Sequence, residues 1–212
     1  IMTLIQNFDN ILITGFYDFY HFNRVEGNYF GLGFDSKRKL DNHRLRLNMG
    51  HGIEDDRFKF RFWLENKFFK EKFFVRTQFY KKLAFLDQHY KYNWSDITWQ
   101  SLLSKNDYAD YYYEKGAKLA LDYKPFRHLK IGVEYAWNDQ KTAPNQIEWH
   151  PFIDEKSYRP PVSIDDGISK SIEFTLISDN LKYFDYGWIQ QPDLSQDFFD
   201  INFSYLRSAE PV

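Results

Sequence analysis

Cysteine is absent from all 212 residues, which excludes disulfides, thiolate metal sites and cysteine nucleophiles together. Such a chain suits a compartment where thiols would be oxidised. Long hydrophobic runs are also lacking. No stretch approaches the roughly 18 apolar residues of a membrane-spanning helix, and the run around Ile11-Leu12-Ile13 is far too short. Proline does not occur before Pro125, and a long proline-free segment is what a continuous hydrogen-bonded sheet requires. Nor is there charge of one sign: 28 Lys+Arg against 30 Asp+Glu leave a net charge of −2, so no basic field advertises a nucleic-acid partner. There is no basic segment followed by an apolar core and small-residue cleavage site, and Ile1 opens in mid-pattern, so a mature or truncated chain is expected. A β-barrel needs no apolar run, because only alternate residues face lipid. The missing hydropathy peak therefore excludes helical bundles, not membranes.

In place of these features the chain carries aromatics: 22 Phe, 16 Tyr and 6 Trp, or 21% of residues, beside 27% charged residues. The two classes alternate. At 44–50, Leu45, Leu47 and Met49 share one face and Arg44, Arg46 and Asn48 the other. At 57–65, Phe58, Phe60, Phe62 and Leu64 alternate with Arg57, Lys59, Arg61, Trp63 and Glu65, and Glu54-Asp55-Asp56 supplies the turn between the two runs. The same grammar returns at 117–123 and 128–137, where Leu119, Leu121, Ile131 and Val133 oppose Lys118, Asp122, Lys130 and Glu134, and again at 199–205. With weaker runs included, the spacing predicts ten strands: 13–22, 25–36, 43–53, 57–67, 72–81, 109–123, 128–137, 169–178, 181–189 and 197–207. Residues 124–127, around Pro125, and Asp179-Asn180 read as short hairpin turns. Nothing keeps a helical period over three turns.

Loop lengths add a second pattern. The connections 82–108 and 138–168 are long and leave one end of an up-and-down sheet, whereas 37–42, 68–71, 124–127 and 179–180 at the other end are short. That asymmetry is typical of outer-membrane barrels, and the short turn 54–56 on the long-loop rim is the exception. Alternation by itself suits both a soluble barrel with Phe and Leu inside and a membrane barrel with them outside. Three features favour the membrane. The apolar face is bulky throughout, whereas small barrel interiors need small residues to fit their taper. Aromatics gather at strand ends, as at Phe68-Phe69, Tyr111-Tyr112-Tyr113 and Trp137. The polar face mixes signs, as a hydrated lumen does. The expected fold is all-β, one domain over 1–212: an antiparallel up-and-down transmembrane β-barrel of about ten strands, or the first part of a larger one.

Residues 22–34 read Phe-Asn-Arg-Val-Glu-Gly-Asn-Tyr-Phe-Gly-Leu-Gly-Phe. This segment resembles the opening barrel strands of the BamA-like surface-antigen superfamily, in particular uncharacterised barrels that follow a carboxypeptidase-regulatory-like domain. The stretch 106–112, Asn-Asp-Tyr-Ala-Asp-Tyr-Tyr, with Gly116, resembles the Asp-Tyr-rich loop and following strand of that group. The resemblance implies an outer-membrane location of the Gram-negative type. The chain departs from the family in lacking a Val-Arg-Gly-Phe/Tyr lumen motif and in ending Ser208-Ala209-Glu210-Pro211-Val212, without a terminal aromatic. A partial copy of a larger barrel is expected on that ground.

Candidate functional residues follow from these faces. Arg24 and Glu26, two apart on an extended segment, form a candidate ion-pair latch beside Gly27, with an ordinary lumen-facing pair beside a turn glycine as an equal reading. Arg44, Arg46, Arg61, Glu65, Lys130 and Glu134 are candidates to line the lumen. Trp94, Trp99, Trp149 and Tyr158 sit in the long loops and could stack on sugars or lipid head groups, though packing within the loops is commoner. Gly27, Gly31 and Gly33 have strand-like spacing with no following Lys-Ser/Thr, unlike a phosphate loop. His51 with Glu54, Asp55 and Asp56 is the nearest approach to a metal cluster and reads as a polar turn. Asp165-Asp166 and Asp107/Asp110 read as solvated turn formers, with weak Ca²⁺ binding as the other reading. No strand carries Ser and His at a spacing of two, so no enzyme is expected, and no cofactor or metal. The expected function is an outer-membrane transport, insertion or surface-display scaffold with a polar lumen and long extracellular loops. Its partners would be outer-membrane lipid and other envelope proteins, with no nucleic acid. The alternative is a soluble β-barrel that binds an apolar ligand or a glycan.

Overall fold

The computed structural model describes residues 12–13, 16–36, 42–69, 72–87, 93–126, 129–147, 157–179, 183–185, 190–192 and 200–209. Its strands are β1 (Leu12–Ile13), β2 (Tyr20–Asn23), β3 (Gly27–Asp35), β4 (His43–Gly52), β5 (Arg57–Phe68), β6 (Phe73–Phe85), β7 (Tyr111–Phe126), β8 (Leu129–Thr142), β9 (Gly167–Asp179), β10 (Tyr183–Asp185), β11 (Gln190–Pro192) and β12 (Asp200–Ala209). Two helices interrupt them, α1 (Phe16–Phe19) and α2 (Trp94–Ser104). Ten strands form one antiparallel sheet in the order β1-β3-β4-β5-β6-β7-β8-β9-β12, with β2 also on β3. From β3 to β9 each strand bonds its neighbour in sequence, so the fold is all-β and up-and-down. Among the described residues no pairing joins β12 to β1, β2 or β3, and the sheet is open. The closure expected from the sequence is absent there because β12 bonds β9 along one edge only.

Most expected strands are present, and the departures have local causes. The strand expected at 13–22 is split into β1, α1 and β2. Phe16-Tyr17 and Phe19-Tyr20 place aromatics at adjacent positions, so a period of two is not kept there. The strand expected to begin at Val25 begins at Gly27 instead, because 24–26 form a turn. Helix α2 falls inside the long connection where no helix was expected. Asn93 caps it by accepting the Ser95 amide at 3.1 Å, and Lys105 ends it in the left-handed region at φ 54°. The two-residue turn expected at Asp179-Asn180 does not join successive strands of the main sheet. Asp179 pairs with Asp200, and the connection between β9 and β12 contains the small β10–β11 hairpin. Of the strand expected at 181–189, Tyr183–Asp185 is described and the rest lies outside the described residues. Pro125 lies within β7 at a register shift between Tyr123 and Phe126, where the ladder does not need its missing N–H.

The register assigns every alternating side chain to a face. Rows cross the sheet as Phe34–Leu47–Phe62–Phe79–Ala117–Trp137 and as Leu45–Leu64–Thr77–Leu119–Tyr135–Ile172. This apolar face is uncovered from edge to edge: Phe30, Leu32, Phe79, Leu119, Ile131, Ile172, Phe174 and Tyr205 are each 43–53% exposed. The clusters of buried apolar residues lie elsewhere, at the rim. One cluster joins Val25, Leu83, Ile97, Ala109, Tyr111, Tyr113 and Ala143, and a second joins Phe22, Ile147 and Tyr158. The core therefore sits where α2 and the long connections fold onto the strand ends.

Candidate functional site

The opposite face of the sheet carries paired charges. Asp35 on β3 takes Arg44 at 3.0 Å and Arg46 at 2.8 Å from β4, and both guanidiniums lie over the Trp63 ring of β5. Asp122 on β7 takes Arg76 of β6 at 2.7 Å and Lys130 of β8 at 3.4 Å. Lys118 reaches Glu134 at 3.1 Å. Glu65 stands in register between Arg44 and Arg76, and Arg61 between Asn48 and Tyr80. Thus Arg44, Arg46, Arg61, Glu65, Lys130 and Glu134 all occupy one face, as the alternation predicts. Gly50 on this face leaves room for the Tyr29 ring, since a Cβ there would collide with its hydroxyl oxygen.

At the rim, Arg24 and Glu26 do not form the expected latch with each other. Both are fully buried, in the turn between β2 and β3, and each has its own partners. The Arg24 amide donates to Asp107 Oδ2 at 3.0 Å, its Nη1 to the Asp107 carbonyl at 2.6 Å, and its Nη2 reaches Asp110 at 3.4 Å. The guanidinium also lies 5.4 Å from the Tyr111 ring centre, while its Nε is buried without a partner. Asp107 accepts from the Tyr111 hydroxyl at 2.8 Å and the Ala109 amide at 3.2 Å. Arg159 from the second long connection pairs with Asp110 at 2.9 Å, and the Gln146 amide donates to the Arg24 carbonyl at 3.1 Å. Arg24 therefore ties both long connections to the β2–β3 turn.

Glu26 serves a different group. It pairs with Lys59 at 2.9 Å and His21 at 2.9 Å and accepts the Asn23 side-chain amide at 2.5 Å. Lys59 also reaches Asp55 at 2.7 Å, and Asp55 accepts the Tyr113 hydroxyl at 2.9 Å. Burial alone would raise the Glu26 carboxyl, but the His21 hydrogen bond and charge and the Lys59 ammonium together outweigh it and hold the group at about 2. At Asp107 the balance reverses. Burial raises its carboxyl above the usual range despite the Arg24 and Tyr111 hydrogen bonds. Gly27 follows at φ 63°, and a Cβ there would collide with the Glu54 carboxylate that accepts the Asn28 amide at 2.9 Å.

The four loop aromatics separate. Trp94 stacks on His21 at 4.1 Å and packs against Phe85 at 4.9 Å. Tyr158 is buried under Lys105, and burial with the Asp107 charge pushes its hydroxyl up to about 12. Trp99 is exposed on α2, and Trp149 lies outside the described residues. The acidic groups weighed as cation sites are engaged within the protein: His51 faces Asp56 at 3.2 Å, and Asp166 accepts the Thr142 amide at 2.6 Å. Among the described residues no group of three His, Asp or Glu could hold a metal ion. Sequence reasoning missed Asp35, Asp55 and Asp107 as the hubs of these networks, because only cross-strand register and loop folding reveal their partners. A cavity of about 210 Å³ beside the cluster is lined by His21, Glu26, Tyr29, Lys59, Arg61 and Trp94, among others. Chemically, the arrangement offers a wall of cross-strand ion pairs beneath a buried, hydrogen-bonded rim. No protein-family model, curated protein or solved structure matches the chain.

Proposed function

We propose that the chain is an outer-membrane β-barrel protein, or the part of one that these strands make, and that it serves as a transport, insertion or surface-display scaffold. The observation that carries this reading is the division of the sheet into an uncovered apolar face and an ion-paired polar face. A soluble monomer rarely leaves more than a few hundred Å² of contiguous apolar surface in water. Lipid is the solvent that suits such a face, and closure would then pair the remaining strand edges. A hydrated lumen suits the other face, where Arg44, Arg46, Lys118, Lys130 and Glu134 have partners across the strands. A soluble barrel binding an apolar ligand would instead turn Phe60, Phe62 and Phe79 into a packed interior. The opening segment 22–34 supports the BamA-like reading through its resemblance to that superfamily, and the buried Arg24 turn gives the segment a structural task. The α2 connection and the 143–166 connection would face outward from the membrane.

The test is extraction of the expressed chain with and without detergent, followed by gel migration before and after boiling. The proposal expects recovery in detergent only and a folded band that shifts on heating. A monodisperse protein in plain buffer overturns it.

A further inference from the structure

The ladder between β5 and β6 ends at the pair Phe60–Lys81, while β6 continues with β7 to Phe85–Tyr111. Where the strands part, a second cavity of about 250 Å³ opens, lined by Arg57, Lys59, Lys81, Lys82, Lys115 and Lys141. Only two carboxylates, Glu114 and Asp139, share its wall. Glu114 is engaged with Lys82 at 3.0 Å, and Lys59 is held by Glu26 and Asp55. That leaves Arg57, Lys81, Lys115 and Lys141 beside one remaining acid. Among the described residues none of these four has an ion-pair partner. Lys81 and Lys115 are direct cross-strand partners, a like-charge arrangement that destabilises a sheet, and Asp139, in register with Lys115 on β8, offsets only one of the two.

The position matters as much as the charge. Lys81 follows Phe79 on the same side of β6, and Lys115 precedes Ala117 on the same side of β7. The cations thus sit at the rim edge of the apolar band. Arg57 lies 4.1 Å from the Tyr113 ring centre, which fixes its guanidinium beside them. We propose that this cavity binds a phosphate group, with Lys81, Lys115, Arg57 and Lys141 as its donors; that the phosphate belongs to a lipid head group rests on the membrane reading above. The volume is below that of ordinary ligand pockets, which suits one compact anionic group.

Two probes test this: phosphatidate titrated into the protein held in neutral phosphatidylcholine nanodiscs or detergent, and inorganic phosphate titrated into the same sample. Retention of one phosphatidate per chain is read by native mass spectrometry. Lys81→Gln and Lys115→Gln each weaken retention by about tenfold, as loss of one charge-assisted hydrogen bond does, while Lys170→Gln on the same face leaves it unchanged. Phosphatidate binding that millimolar inorganic phosphate does not displace assigns the site to a lipid; displacement assigns it to a soluble phosphate. Absence of binding by both probes, or equal retention in all three variants, overturns the site. The inorganic phosphate titration also runs in plain buffer, so a chain that proves soluble fails the membrane reading without deciding the anion site.

Discussion

Glu26 and Arg24 are adjacent but one in sequence, yet their charges are neutralised in opposite directions. Glu26 is held by His21 of β2 and Lys59 of β5, and Arg24 is held by the loop that carries Asp107. The folded-state carboxyl of Glu26 lies below its unfolded value, so its stabilisation is present above about 4.5 and is lost as the pH falls toward about 2. Urea titrations followed by tryptophan fluorescence should show that loss as about 3 kcal/mol across the window. Glu26→Gln should lower stability at neutral pH by a similar amount and flatten the dependence. Arg24→Ala removes the guanidinium that bonds the Asp107 carbonyl and pairs with Asp110, while the residue-24 amide still holds the Asp107 carboxylate, so the expected loss is about 1–3 kcal/mol. Because Arg24 grips both long connections, limited proteolysis of this variant should cut within 86–110 and 143–166 before it cuts the strands.

At the scale of elements, the two faces make opposite demands on substitutions in the same strand. Phe174 is exposed on the apolar face of β9 and Ser171 is on the polar face. In phosphatidylcholine vesicles Phe174→Arg should cost about 2–4 kcal/mol, and Ser171→Arg should stay within about 0.5 kcal/mol. Equal, small effects in urea unfolding would remove lipid from the apolar face. The long strands β4 to β9 were legible in the sequence because Leu45-Leu47-Met49 or Phe58-Phe60-Phe62 signals a period of two without ambiguity. Helix α2 was not, since its buried positions include Thr98 and Ser101 while Trp99 and Leu103 are exposed, which erases the apolar stripe. The lumen candidates were legible as a face, but their partners were not. Asp35 meets Arg44 and Arg46, and Asp122 meets Arg76, only through a register that spacing along one strand cannot give. The Arg24–Glu26 pairing failed for a related reason: a turn at 24–26 points the two side chains apart, whereas an extended segment would have aligned them.

For the molecule as a whole, the sheet is divided into two unlike faces. Its buried apolar clusters lie at the rim, its polar face carries cross-strand ion pairs, and its broad Phe, Leu and Ile face has no protein cover among the described residues. Trp137 and Trp63 sample the two sides, because Trp137 continues the row Phe79–Ala117 and Trp63 lies under Arg44 and Arg46. The direct test is fluorescence of variants that each keep one of these two tryptophans, folded in bilayers of brominated phosphatidylcholine, whose bromines quench only by contact. Strong quenching of Trp137 with Trp63 unaffected is the expected result. Quenching of Trp63, or of neither, would contradict a lipid-facing apolar surface.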